Sequence, residues 1–147
     1  MEYQKSAGVI VYYQDSKEEI KFLLLKYPSY WGFVKGIIEK DEAEEKTALR
    51  ELEEETGIKQ ATLISGFKEN QNWFFKLNNK LIKKEAIFFI AKVNEEQAEK
   101  VKISSEHEDF VWLNLNEALG KIKIKNNKEL LKKAYEFIKK FEAQKTL

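Results

Sequence analysis

The segment from Asp41 to Gly57 constrains the fold more than any other part of the chain. Asp41 is a suitable N-cap, Glu42, Glu44 and Glu45 suit the positive end of a helix, and Gly57 stands where a left-handed C′ residue would end it. Ala48 and Leu52, four positions apart, place an apolar line on one side, and Ile58 can close a contact across the cap. A helix over 41–56 must press that line against something. The flanking runs predict a sheet for it to press on. Residues 7–13 and 20–25 read as β-strands joined through the polar stretch 14–19 as a hairpin. Residues 26–35 read as irregular, and 36–39 as a short strand or loop. Further strands are predicted over 61–67, 72–77, 86–93 and 110–113, with Asn78-Asn79 as a turn between two of them. A small helix starts near Leu115 with Asn116 as its cap. Asn127 then precedes Leu130, Leu131, Ala134, Phe137, Ile138 and Phe141, one face of a closing amphipathic helix. The fold class is α/β, with a mixed sheet flanked by helices.

At 147 residues the chain suits one domain, 1–147, and its ten Phe, six Tyr and three Trp supply a core. Trp112 is assigned to that core. The 26 Lys+Arg nearly cancel the 25 Asp+Glu, which argues against a nonspecific nucleic-acid coat but leaves a polyphosphate ligand open. With no cysteine, thiol catalysis and cysteine-bound zinc are excluded. The first residues, Met1 to Lys5, carry no basic region followed by an apolar run, and no stretch approaches the roughly 18 apolar residues that cross a bilayer. The expectation is a cytoplasmic protein with no membrane partner.

Glu51, Glu54 and Glu55 stand at i, i+3 and i+4 and so lie on one helix face, where their carboxylates can converge. Like charges that close repel and call for a cation. Mg²⁺ suits carboxylate oxygens and keeps water ligands that phosphates can replace. Arg50 beside them can hold a carboxylate by a bidentate pair. Gly36, five residues, Glu42, seven residues, Arg50-Glu51-Leu52, one residue, Glu54-Glu55, one residue and Gly57-Ile58 together match the Nudix box. By this motif the chain resembles the Nudix hydrolases over essentially its whole length. The resemblance implies an α/β/α sandwich around a central mixed sheet, and Mg²⁺-dependent cleavage of a phosphoanhydride, with Mn²⁺ as a substitute ion. It implies metal ligands at Glu51, Glu54 and Glu55, with the Gly36 carbonyl and Glu106 added. Glu54, Glu51, Arg50 and Glu106 form the implied catalytic group, in which Arg50 and Glu42 act as structural partners of the carboxylates.

Other segments resemble the asymmetric diadenosine tetraphosphate (Ap4A) hydrolases of that family. Tyr30-Trp31-Gly32-Phe33-Val34-Lys35-Gly36 is similar to the loop before their box, with Val34 where Pro is usual. Lys84-Glu85-Ala86-Ile87-Phe88-Phe89-Ile90-Ala91 follows a strand of that branch, and 105–113 is similar to its segment bearing a further metal-binding or base-like glutamate. Glu106 is assigned to that role with Glu108 in reserve. The implied substrate contacts are Lys35 and Lys84 on phosphates, His107 on a phosphate or a neighbouring carboxylate, and Tyr30, Trp31 and Trp73 on a base. The expected reaction converts Ap4A to ATP and AMP. The alternative is a 5′-triphosphate RNA pyrophosphohydrolase or nucleoside triphosphate pyrophosphatase of the same fold. The expected partner is a small nucleotide, with no stable nucleic-acid complex beyond a 5′-triphosphate RNA end.

Overall fold

Residues 7–12 and 86–91 are apolar without interruption. Side chains alternate between the faces of a strand, so such runs must be covered on both sides. The computed structural model describes residues 2–145. In chain order it contains β1 (Glu2–Gln14), β2 (Ile20–Lys26), β3 (Trp31–Gly32), β4 (Val34–Ile37), α1 (Glu44–Thr56), β5 (Thr62–Leu63), β6 (Glu69–Leu77), β7 (Lys80–Lys92), α2 (Glu95–Glu99), β8 (Phe110–Leu113), α3 (Leu115–Lys121) and α4 (Lys125–Gln144). Met1 and residues 146–147, the ends of the expected 1–147 unit, lie outside the described residues.

The two apolar runs sit inside β1 and β7, which lie parallel from Glu2 opposite Ile82 to Tyr12 opposite Lys92. Each long strand changes its other partner midway. The middle of β1, Ser6 to Val9, pairs with β4 and its last residues with β2, while β7 pairs with β6 along its first part and with β5 at its end. β3 and β8 extend the sheet from β2. All these pairings except β1–β7 are antiparallel, so the sheet is mixed, as expected.

Alternation sorts the core into two layers. Val9, Val11, Leu23, Leu25, Ile87, Phe89 and Ala91 meet Ala48 and Leu52 of α1 on one face. Ile10, Tyr12, Phe22, Leu24, Phe88 and Ile90 meet Leu131, Ala134 and Ile138 of α4 on the other. The result is helix, sheet, helix. Burying one such leucine fully is worth about 1.5–3 kcal/mol, and Leu52 has no exposed surface. Trp112, assigned to the core, is half-buried at its margin, edge-on to Tyr13 at 5.0 Å and donating from Nε1 to Ala98 O at 3.1 Å.

Several local expectations are corrected. Of 26–35, expected to be irregular, Trp31–Gly32 and the start of β4 form strands with partners on β2 and β1, and β4 reaches Ile37 within the stretch expected to be a short strand or loop. Of 61–67 only Thr62–Leu63 forms a strand. Asp41 does not cap α1: it sits at φ 62° in the preceding turn, and the N-cap is Ala43, with no side-chain cap. Asn114, not Asn116, caps α3, in a reciprocal box with Glu117. Asn127 lies in the first turn of α4, ahead of Leu130 as expected. The short helix α2, capped by Asn94 with Gln97, was not anticipated. Asn78 and Asn79, both at positive φ, form the expected β6–β7 turn. Among the described residues no helix is long and apolar enough to cross a membrane.

Candidate active site

Lacking a side-chain cap, α1 is tied to the loop before it by Glu42. The Glu42 carboxylate accepts from Glu39 N at 3.1 Å, Thr47 Oγ1 at 2.6 Å, Arg50 Nε at 2.7 Å and Arg50 Nη2 at 2.9 Å. Arg50 reaches onward, donating from Nη2 to Ile37 O at 3.1 Å and from Nη1 to Glu51 at 2.9 Å and Glu54 at 3.2 Å. One guanidinium thus joins the strand leading into the helix, the loop carboxylate and two of the three glutamates. Glu39 also lies 3.4 Å from Arg50, and Glu44 pairs with Lys5 and Lys68, each at 2.8 Å, so neither is left to solvent alone.

The bonds from Arg50, then Thr47, hold the Glu42 carboxyl down at about 2. Its folded value lies below that of the unfolded chain. The pair therefore contributes stability above the ordinary carboxyl range, and that contribution is lost as pH falls toward 2. Glu42→Gln should flatten this acid limb: unfolding midpoints compared between pH 5 and pH 2 should converge with those of the parent at the low end. A constant gap between the two curves would show that Glu42 does not titrate in this way.

The C-terminal end of α1 is equally fastened. Gly57 takes φ 79° and donates to Glu53 O at 2.8 Å. Lys102 N and Ser104 N bond to Thr56 O and Glu55 O at 3.0 and 3.1 Å. The helix end therefore docks the loop that carries Glu106 and His107. That loop is also pinned to the end of β2 by Lys26 N to Asp109 O at 2.9 Å.

Glu55 lies beneath the surface, beside the Glu51 carboxylate. It is buried, with Oε1 at 2.5 Å from His107 Nε2, and its Oε2 has no hydrogen-bond partner. Burial, then the neighbouring Glu51 carboxylate, push the Glu55 carboxyl well above its usual range. Burial also raises Glu51, against the pull of Arg50. His107, expected on a phosphate or a neighbouring carboxylate, takes the second position. Glu106 sits exposed on the 104–107 turn, close enough for its charge to act on Glu55, while Glu108 pairs with Lys26 at 3.3 Å.

The three glutamates were expected to converge. Among the described residues they form no group of three that encloses one point: Glu51 and Glu55 lie side by side, while Arg50 holds Glu54 and His107 bonds Glu55. The donor set still suits a hard divalent cation. It offers carboxylate oxygens that repel one another, and one buried oxygen, Glu55 Oε2, with no partner. The Glu51 carboxylate rests against Gly36, where an added Cβ would lie 2.0 Å from its Cδ.

An aromatic series leads away from Glu55. Tyr27 meets His107 edge-on at 4.7 Å, stacks on Tyr30 at 4.8 Å, and donates from its hydroxyl to Phe33 O at 2.5 Å. Tyr30 forms one wall of a cavity of about 340 Å³ lined also by Lys35, Gln71, Trp73, Ile124, Asn126 and Asn127. Lys35 lies over the Trp73 ring at 5.0 Å and Lys84 over Phe75 at 5.0 Å. Burial, then the charge of Lys84, lower the Lys35 ammonium below its ordinary value. Trp31 is not at this cavity. It lines a second one of about 420 Å³ on the other side of Tyr30, with Lys26, Lys121 and Lys123, and the Lys121 ammonium covers its ring at 4.7 Å.

Tyr30, Lys35 and Trp73 are thus brought together, and Trp31 is set apart. Sequence reasoning missed Gln71 and Asn126 as cavity residues and read Asn127 only as the approach to a helix. The two-residue period of β6, which puts Gln71 and Trp73 on one face, was a usable signal for the first; nothing comparable marked the others.

Comparison with known proteins places these features. The NUDIX domain profile matches residues 2–140. The chain is 35% identical over 124 residues to the asymmetrical bis(5′-nucleosyl)-tetraphosphatase of Sus scrofa, covering 81% of each protein. It is 28% identical over 138 residues to the dihydroneopterin triphosphate diphosphatase of Haemophilus influenzae, covering 88% of this chain and 85% of the relative. The structure of a C. elegans Ap4A hydrolase binary complex superposes with a TM-score of 0.79 at 29% identity, over 92% of this chain and 97% of that one.

Proposed function

The chain belongs to the Nudix family, whose domain spans residues 2–140, and from that premise we propose that it cleaves dinucleoside polyphosphates, Ap4A to ATP and AMP, with Mg²⁺ as cofactor. At the coarser level it is a phosphoanhydride hydrolase of nucleotide-like substrates. The observation that supports the finer reading is the cavity between Tyr30 and Trp73, with Lys35 as its one charged liner. A flat base fits between two aromatic faces, and the phosphate chain then leaves past a cation.

Glu51, Glu54 and Glu55, with the Gly36 carbonyl and Glu106, are the groups that would hold the ion. When bound, Mg²⁺ lowers the pKa of an attacking water and offsets charge on phosphate oxygens. Arg50 orients Glu51 and Glu54 while His107 orients Glu55, and these bonds would adjust as the carboxylates turn toward the ion. Water attacks a phosphorus of the chain, the bridging P–O bond breaks toward the departing nucleotide, and a carboxylate, Glu106 in our assignment, takes the water's proton. Lys35 and Lys84 face the growing charge on the leaving phosphate.

A second reading is a 5′-triphosphate RNA pyrophosphohydrolase or nucleoside triphosphate pyrophosphatase. It is favoured by the Trp31 cavity, whose only charged liners are Lys26, Lys121 and Lys123 and which suits a trailing phosphodiester. A panel of Ap4A, 5′-triphosphorylated RNA and dNTPs, run with Mg²⁺ and again with chelator, separates the two. The highest kcat/KM is expected for Ap4A, with ATP and AMP as products and no turnover in chelator. Comparable rates on all three substrates would overturn the assignment to dinucleoside polyphosphates.

A further inference from the structure

Besides Lys35, the cavity lined by Tyr30 and Trp73 has three amide residues in its wall, Gln71, Asn126 and Asn127. Amides carry donors and acceptors without charge, which suits a neutral base edge better than a phosphate. Asn127 is one of the few buried polar side chains among the described residues.

Hydrogen bonds fix which way these amides face. Gln71 Nε2 donates to the backbone carbonyl of Asn126 at 3.0 Å and to Asn127 Oδ1 at 3.3 Å. A backbone carbonyl only accepts, so it sets the orientation of the Gln71 amide, and Gln71 Nε2 in turn sets that of Asn127. Two polar atoms of the pair then have no hydrogen bond to another described residue and are available to a ligand, Gln71 Oε1 as an acceptor and Asn127 Nδ2 as a donor. An amino-purine presents the complement, an exocyclic N–H donor beside a ring-nitrogen acceptor. A 6-oxopurine puts an acceptor where the amino group was, and so meets Gln71 Oε1 lone pair to lone pair.

We infer that Gln71 and Asn127 read the edge of the nucleobase held between Tyr30 and Trp73, and select 6-aminopurine over 6-oxopurine nucleotides. This deepens the proposed function and rests on a nucleotide entering that cavity. Binding to the metal-free protein tests it without turnover, so its failure is distinguishable from failure of the hydrolase assignment. AMP and IMP are titrated in chelator while the side-chain amide signals of Gln71 and Asn127 are followed by NMR. A good two-point contact is worth roughly tenfold or more in discrimination. AMP should therefore bind at least about tenfold tighter than IMP and shift both amide signals.

Gln71→Leu removes the acceptor and leaves Asn127 without its donor. Asn127→Asp keeps the shape but exchanges the free donor for an acceptor. Each should bring the two affinities within about twofold of one another, the ratio expected once the contact is gone. Far-ultraviolet circular dichroism establishes that a variant is folded, and either variant suffices if the other is not. Equal affinities in the parent, a preference that survives in a folded variant, or no binding of either nucleotide would each overturn the inference.

Discussion

Glu54→Gln is expected to leave the fold intact and to lower Mg²⁺-dependent turnover by about 10²-fold or more, the cost of misplacing the reacting groups once an oxygen donor to the ion is weakened. The side chain is more than half exposed and, among the described residues, hydrogen-bonded to Arg50 alone, at 3.2 Å. Glutamine preserves its size and can still approach the helix surface, so stability has little reason to change. What changes is charge. A neutral amide oxygen is a poorer partner for a divalent cation, and the two remaining glutamates are one buried against His107 and one held by Arg50. Steady-state turnover and Mn²⁺ titration of the same variant should fall together. A variant that keeps parental turnover would remove Glu54 from the metal site and with it the reading of α1 as a metal platform.

Gly36→Ala should be nearly as damaging for a different reason. Its Cβ would fall 2.0 Å from Cδ of Glu51 and 2.1 and 2.5 Å from the two carboxylate oxygens. All three atoms are the far end of a flexible side chain, so the backbone of β4 can stay in register with β1 while the carboxylate swings aside. The melting temperature should remain close to that of the parent. Displacing Glu51 breaks its 2.9 Å bond to Arg50 and moves an oxygen donor by more than an ångström. Misplacement on that scale costs about 10²-fold in rate. Parental kcat/KM in Gly36→Ala would mean that Glu51 is free to leave its observed position without consequence.

Much of the fold was legible because the strongest signals are local. The uninterrupted runs at 7–12 and 86–91 demand a sheet covered on both faces, and that is where β1 and β7 lie. Gly57 ends α1 as its position predicts, since only a residue at ease with positive φ fits there. Asp41 misled because a short acidic residue before a helix reads as a cap, whereas Glu42 with its longer side chain reaches Thr47 and Arg50 and takes over the fastening.

The candidate site divides along the same line. Glu51, Glu54, Glu55 and Arg50 are adjacent in sequence, so their spacing alone places them on one helix. The cavity draws Tyr30 from before β3, Gln71 and Trp73 from β6, and Asn127 from α4. Only tertiary packing brings those segments together. Trp31 shows the limit well: one position from Tyr30 along an extended chain, it points into a different cavity.

The parallel pairing of the two longest strands also bears on how the chain comes to be folded during synthesis. Gly8 lies opposite Phe88, so the centre of the sheet closes a loop of 80 positions. At ribosomal rates of about 5–20 residues per second, β1 waits on the order of several seconds for its partner. In that interval one apolar edge of β1 stands unpaired, with β2 and β4 as its only available neighbours. Lys5, and the exposed Glu2 and Tyr3, sit at the start of this edge, where charge discourages pairing with a second nascent chain. The pairing of β2 with β8 closes a still longer loop, Phe22 to Leu113, so the N-terminal strands must remain soluble until both late partners arrive.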